Sequence, residues 1–332
     1  MGHLEIGDSV RERALIFGIS GQDGSYLSEF LVENEIEVHG VVRRHSIAEN
    51  QDSRLKNIEN LITTHYGDVT DFPRTNEIIK ELKPKYIFNL AAQSHVRVSF
   101  DVPSFTLDVN SKGTLNILEA VKNVSKESKF YQASSSEMFG IGVDSDGKQR
   151  ETTQMLPVSP YGCAKLYSYH ITRTYRESHT LFASNGILFN HESPRRGSNF
   201  VTSKVIMGAV SIKLGRSQEL VLGNLDSQRD WGHSKDYVRA MKLILDFKEA
   251  EDFVVATGET RSIRDLCKVT FDLLDLQWED FVKQDQKYFR PQELPYLCGD
   301  PSKAKRVLGW KPEISFDEMV QEMVEYWFKK LA

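Results

Sequence analysis

Cysteine is scarce: Cys163, Cys267 and Cys298 are the three in 332 residues, widely spaced and without a CxxC pair, which excludes a disulfide framework and a zinc ribbon. The nine histidines form no HExxH or HxxxH pair, and no Cys/His/Asp cluster has ligand spacing, so no metal is expected. Long apolar runs are missing. No window approaches the roughly 20 residues that cross a bilayer, and the opening "MGHLEIGDSVRE" is mixed and charged where a secretory signal would be apolar. An excess of positive charge is missing too: 42 basic against 47 acidic residues leave a formal charge of −5, with no footprint for nucleic acid or an anionic membrane surface. Anionic ligands must therefore be held by local basic groups. Internal repeats, heptads and low-complexity segments do not occur. These absences describe a compact protein of a reducing, cytoplasmic compartment, with neither nucleic acid nor membrane as partner.

What is present points to an α/β protein. Hydrophobic residues at 40% and charged residues at 27% can build a sizeable core, and the length suits a large unit carrying a smaller lobe. Short apolar runs bounded by turn residues, "ALIFGI", "EVHGVV", "YIFNLA", "FYQAS" and "NGILF", read as buried strands. Helix-period segments lie between them: "SYLSEFLVENE", "TNEIIKELK", "GTLNILEAVKNV" and "KLYSYHITRTYRES". Such alternation is the mark of a Rossmann-type doubly wound parallel sheet. Past residue 190 the sequence becomes loop-rich, with two later helical pieces, "IRDLCKVTFDLLD" and "FDEMVQEMVEYWFKKL". The expected organisation is a loose leader over 1–12, a nucleotide-binding domain over 13–190 with a return around 220–258, and a substrate lobe from 191–219 and 259–332.

"GISGQDG" places Gly18, Gly21 and Gly24 after the first strand and at the opening of the first helix. Glycine there lets backbone approach a pyrophosphate, which the free N–H groups and positive end of the helix then meet. The second strand ends in "VVRRHS", where an NAD-binding protein would carry an acid for the ribose hydroxyls. Arg43 and Arg44 stand there instead, and two guanidiniums suit a 2′-phosphate, so NADP is expected. Asp68 and Val69 in "GDVTD" follow a third strand-like piece and suit an adenine contact.

In "SPYGCAKLYSYH", Tyr161 and Lys165 fall at i and i+4, on one helix face. A phenol with a pKa of about 10 must be lowered by about three units to act as a base near neutrality; an ammonium beside it and an oxidised nicotinamide could supply that field. Ser135, where the preceding strand ends, could bond the same sugar oxygen. Glu137 follows three hydroxyls in "YQASSSEMFG", and a polar loop and a proton-handling site both stay open on the residues alone. Cys163 reads as a small buried residue, the terminal Tyr326 and Trp327 as core, and His95 and His233 as packing or functional residues alike.

Eight segments, "GISGQDGSYL", "NLAAQSHV", "SSSEMFG", "YGCAK", "FNHESPRRG", "RDWGHSKDYV", "RPQEL" and "GDPSKAKRVLGWKP", closely resemble GDP-mannose 4,6-dehydratases, extended members of the short-chain dehydrogenase/reductase superfamily. The resemblance covers nearly everything after residue 12, and related dehydratases of GDP-D-glycero-D-manno-heptose are similar as well. It implies NADP-dependent conversion of GDP-D-mannose to GDP-4-keto-6-deoxy-D-mannose: oxidation at C4, loss of water across C5 and C6, and return of the hydride to C6. Glu137 would then take the C5 proton and help the C6 hydroxyl leave, with Ser135 and Tyr161 at the C4 oxygen and Lys165 beside them.

The resemblance further implies cofactor contacts from Gly18, Ile19, Ser20, Gly21, Gln22, Asp23 and Gly24, from Arg43, Arg44, Asp68 and Val69, and from Leu90, Ala91, Ala92, Gln93 and Ser94. Phe105, Tyr161, Lys165, His191 and Arg196 complete that set. The GDP-sugar would meet Ser94, Asn190, Val201, Lys204, Gly223, Arg229, Arg290 and Glu293. Family members commonly carry threonine where Ser135 stands, so the hydroxyl is kept and a rotamer-restricting methyl lost. They carry tyrosine where Phe105 stands, so the ring is kept without its hydroxyl. A homodimer or homotetramer is implied, with the basic loop after residue 42 meeting a neighbour's cofactor. Rival readings are the heptose dehydratase, a reductase of the 4-keto product, and a non-catalytic NADP-binding sensor or scaffold, which would have no need of Ser135, Glu137, Tyr161 and Lys165 together.

Overall fold

The structure, a computed structural model, describes residues 11–44, 54–288 and 294–332. Seven strands form the central sheet: β1 (Arg13–Phe17), β2 (Glu37–Val42), β3 (Ile62–Tyr66), β4 (Tyr86–Asn89), β5 (Lys129–Ser135), β6 (Ala183–Leu188) and β7 (Asp252–Val255). Their order is β7-β6-β5-β4-β1-β2-β3, and every pairing is parallel. The five apolar runs of the sequence fall on β1, β2, β4, β5 and β6.

Eight longer helices accompany the strands: α1 (Gln22–Glu33), α2 (Phe72–Leu82), α3 (Gly113–Val124), α4 (Pro160–His179), α5 (Val201–Lys213), α6 (Ser234–Asp246), α7 (Ile263–Asp272) and α8 (Phe316–Leu331). Alternate strand residues face opposite sides of the sheet. Ala14 and Ile16 pack with Leu27 of α1 and Met241 of α6, while Leu15 and Phe17 pack with Ile78 of α2 and Ile117 of α3. Both faces are covered, which is why these strands read as continuous apolar runs and not as alternating ones.

Past β6 the chain builds a second core from Val205, Ile206 and Val210 of α5, Leu266 and Phe271 of α7, and Met319, Met323 and Trp327 of α8. Capping boxes start two of these helices: Ser262 with Asp265, and Ser315 with Glu318. Two helices stand where the sequence reads as loop-rich. In "VTSKVIMGAVSIK" the β-branched residues hide the helical period of α5. In α6, Tyr237, Val238, Met241, Ile244 and Leu245 have helical spacing, so that helix was legible. The chain returns to the sheet through α6 and β7. Cys163 is exposed, contrary to expectation, because two residues along a helix turn it away from the face that carries Tyr161 and Lys165. Trp327 is buried as expected, whereas Tyr326 is 39% exposed. Among the described residues, no helix is long and apolar enough to cross a membrane.

The sheet edge at β7 is held by a bidentate ion pair. Arg176 of α4 donates to Asp252 Oδ1 at 2.9 Å and Oδ2 at 3.0 Å, and Asn185 of β6 adds a bond of 2.8 Å. Burial alone would raise the Asp252 carboxyl, but Arg176, Asn185 and Arg173 outweigh it and hold it below its usual value. Its contribution is therefore present above the unfolded-state pKa and lost as pH falls through the lower folded-state value. Asp252→Ala leaves Arg176 without its carboxylate, and urea unfolding at neutral pH should show a loss of about 3 kcal/mol or more.

Candidate active site

Strand order reverses between β1 and β4, and the crevice beyond their carboxyl ends is where a doubly wound sheet takes its ligands. Two cavities meet there. The first, about 400 Å³, lies against the glycine loop that follows β1. The second, about 580 Å³, lies beyond β5 and β6 and reaches into the second lobe. Asp23, Leu90, Ala92, Ser94, Arg196 and Phe200 line both and mark the junction.

The glycine loop fits a dinucleotide. Gly18 has φ +84°, a conformation that side chains rarely adopt, and a Cβ on Gly24 would stand 2.4 Å from the carbonyl oxygen of Gly18, so α1 starts hard against the loop. No side chain caps the N-terminus of α1, whose first-turn N–H groups are thus available to a phosphate. Arg43 stands in the cavity wall, its Nε 3.9 Å from Asp68. Asp68 in turn takes bonds from the backbone and hydroxyl of Thr70. Between Ala92 and Ser94 in the chain, Asn110 clasps the backbone of Gln93 through two bonds, Gln93 N to Oδ1 at 2.8 Å and Nδ2 to the carbonyl at 3.1 Å, fixing the segment that follows β4.

Four side chains at the second cavity come from β5, the turn that follows it and α4. Ser135 ends β5, and Glu137 sits in the 3₁₀ turn that follows, with its N–H donating to Ser135 Oγ at 3.2 Å. Ser159 caps α4 by accepting from the Gly162 N–H at 3.0 Å, and Pro160 opens the helix, so Tyr161 projects from its first turn. A Cβ on Gly162 would lie 2.7 Å from the carbonyl oxygen of Glu137, and this close approach brings the two elements together. Lys165, one turn further, donates from Nζ to the Ala133 carbonyl at 2.8 Å and lies 5.8 Å from the centre of the Tyr161 ring. All four are between 4% and 9% exposed.

Burial dominates the protonation of Tyr161 and Lys165. It pushes the Tyr161 phenol up to about 12, against a hydrogen bond with Ser135 and the charge of Arg196, while Glu137 and Asp23 add to the rise. It pulls the Lys165 ammonium down to about 8, Asp23 opposing. The lowered phenol that the Tyr-Lys spacing suggested is therefore not a property of the polypeptide alone. A further positive charge is needed.

The junction is a buried charge cluster. His191 Nε2 and Asp23 Oδ2 are 2.7 Å apart, and His191 donates from Nδ1 to the Phe189 carbonyl at 2.7 Å. Burial acts against both charges, yet each holds the other: Asp23 stays below its usual range and His191 above. Gln22 binds the His191 carbonyl through Nε2 and accepts from Ser193.

Most of the expected positions line these cavities. Gly18, Ser20, Gly21, Gln22, Asp23, Gly24, Arg43, Asp68, Val69, Leu90, Ala91, Ala92, Ser94 and Arg196 line the first. Ser135, Glu137, Tyr161, Lys165, Asn190, His191, Val201, Lys204, Gly223 and Arg229 line the second. Four stand elsewhere. Ile19 packs beneath β2, where Gly40 makes room for it; Gln93 is clasped by Asn110; Arg44 is exposed outside both walls; and Phe105 is 47% exposed on the short helix Pro103–Leu107. Arg290 and Glu293 lie outside the described residues.

The sequence reading misses Arg54, Lys287 and Trp231. Arg54 reaches the first cavity by bonding the Ser20 and Arg195 carbonyls, while Lys287 and Trp231 line the second. Charge was the one signal for the two cations, and it does not separate them from surface residues.

A family model described as GDP-mannose 4,6 dehydratase matches residues 15–323. The human GDP-mannose 4,6 dehydratase is 49% identical over 339 residues, covering 95% of this chain and 91% of its own. That of Vibrio cholerae is 45% identical over 351 residues, covering 95% and 93%. Among solved structures, UDP-glucose 4-epimerase from Thermotoga maritima with UDP-glucose superposes with a TM-score of 0.85 at 26% identity, covering 96% of this chain and 100% of that one. With a family match spanning both lobes and identities of this size across nearly the whole chain, the protein belongs to the GDP-mannose 4,6-dehydratase family of hydro-lyases.

Proposed function

We propose that the chain is an NADP-dependent GDP-mannose 4,6-dehydratase that converts GDP-D-mannose to GDP-4-keto-6-deoxy-D-mannose. The observation that carries this reading is the buried carboxylate of Glu137 in one cavity wall with Ser135, Tyr161 and Lys165. A reaction confined to reduction or epimerisation at C4 has no need of that fourth group. Elimination does, because the C5 proton must be taken and the C6 hydroxyl must leave protonated.

An oxidised nicotinamide, held by the glycine loop and the residues of the first cavity, would supply a reversible hydride acceptor and a further positive charge. Tyr161 takes the C4 hydroxyl proton, and Ser135 holds the same oxygen. The C4 ketone acidifies the C5 hydrogen; Glu137 removes it and protonates the departing C6 hydroxyl. Return of the hydride to C6, with a proton delivered to C5 from solvent, would complete the product and consume no net reductant. Lys165 keeps its ammonium near the ribose side of Tyr161. Lys204 and Arg229 support diphosphate and nucleoside binding in the second cavity, and Arg43 supports a 2′-phosphate in the first.

GDP-mannose incubated with the protein and catalytic NADP should lose one water by mass spectrometry without added reductant, and deuterium at C4 should reappear at C6. Glu137→Gln should lower dehydration at least about 100-fold while C4 oxidation persists. An unchanged product yield would remove Glu137 from this role.

Arg43→Ala should weaken NADP about tenfold to hundredfold and leave NAD nearly unaffected, read by equilibrium titration of both dinucleotides.

Because burial brings the Lys165 ammonium down to about 8, its charge is complete below that pH and disappears above it. NADP affinity of the cofactor-free protein should fall as pH rises through about 8. Lys165→Met should flatten that limb of a fluorescence titration.

A further inference from the structure

Glu192 is a carboxylate only 2% exposed, in a wall of the second cavity, and no step above uses it. Its Oε2 accepts from the Thr202 hydroxyl at 2.6 Å and stands 2.9 Å from Arg196 Nε as an ion pair without a directed N–H bond. Thr202 belongs to the first turn of α5, the helix whose Val201 and Lys204 line the same cavity. Arg196 lines both cavities, with its guanidinium carbon 3.7 Å from the centre of the Phe200 ring.

A buried ion pair is a weak device for stability, since apolar residues of similar volume serve as well or better. The reason for this one must lie in what it orients. We infer that Glu192 is a positioning residue: it fixes the Arg196 guanidinium at the junction of the cavities and locks it to the start of α5, presenting a directed cation to the bound dinucleotide. The approach is made at Nε and is a charge contact, so Glu192 holds the guanidinium without consuming a directed donor of the fork. Phe200 closes one face of the guanidinium and Glu192 one edge, so the cation is held in orientation as well as in place. Burial raises the Glu192 carboxyl while Arg196 opposes that rise, consistent with a pair in which each charge depends on the other.

This inference rests on the dinucleotide-dependent reading of the site, and its test has a binding readout of its own. NADPH affinity is measured by fluorescence for wild type, Glu192→Gln, Arg196→Ala and the double variant, with circular dichroism melts as the folding control. Glu192→Gln should raise the dissociation constant about tenfold when Arg196 is present and less than about twofold when it is alanine. In stripped protein, the half-saturating NADP concentration for GDP-mannose turnover should rise by a larger factor than the turnover number falls.

Equal effects of Glu192→Gln in both Arg196 backgrounds, or no effect in either, would overturn the inference. If Glu192→Gln does not fold, Thr202→Val decides: it removes the hydroxyl donor to Oε2 and should weaken NADPH about threefold, again only with Arg196 present. Coupling in NADPH binding without turnover of GDP-mannose would overturn the proposed activity and support this inference. Turnover without coupling would do the reverse.

Discussion

The contact between Asp23 and His191, 2.7 Å long with side chains 21% and 11% exposed, joins the first turn of α1 at the nucleotide end to the strand that opens the second lobe. A buried carboxylate without a partner would be costly, and so would a buried imidazolium. Each therefore requires the other, and their mutual need sets the distance between the two cavities. Gln22 and Ser193 tighten the same joint with neutral bonds. Without that fixed separation, the glycine loop and the Tyr161 wall would be two good half-sites with no defined relation, and transfer between bound groups requires a near-attack geometry within a fraction of an ångström.

Burial explains the electrostatic state as well as the joint. The same low-dielectric surroundings that raise Tyr161 to about 12 lower Lys165 to about 8, so burial works against the charged form of both. A site with this bias is a poor base by itself. It becomes one when a fixed positive charge arrives beside the phenol, and the same burial that opposed ionisation then strengthens the field that drives it. Under the proposed function, proton transfer at Tyr161 would depend on cofactor occupancy through desolvation, without a moving part.

Much of this was legible because local chemistry and fold coincide. The glycine loop, the helix start at Ser159 and Pro160, and the i, i+4 pair Tyr161 and Lys165 each carry their signal within a few residues. Five of the seven sheet strands announced themselves as apolar runs because both faces of the sheet are covered. Arg54 and Trp231 gave no such sign. Their roles come from tertiary contacts, Arg54 across to Ser20 and Arg195, Trp231 through a two-strand pairing with Asn190. Glu192 stood in plain view inside "NHESPRRG", yet its burial and its partner Thr202, ten residues on, could not be read from spacing. Tyr161 illustrates the opposite limit: its position was readable, while the rise that burial gives its phenol in the polypeptide alone was not, because burial is a property of the whole fold.

Gly162 shows how local and tertiary requirements meet in one residue. Its backbone N–H completes the cap that starts α4, and its missing side chain admits the Glu137 carbonyl to a place where a Cβ would be 2.7 Å away. The helix start and the acid turn are thus positioned by the same atom set. A larger residue there would leave the helix cap intact in principle and push the Glu137 turn away from Tyr161. In the proposed reaction, elimination and oxidation act on adjacent carbons of one ring, so the groups proposed for them must be placed relative to each other more tightly than either is placed relative to the sheet. A shared anchor achieves that, and the short distance between the end of β5 and the start of α4 is its structural expression.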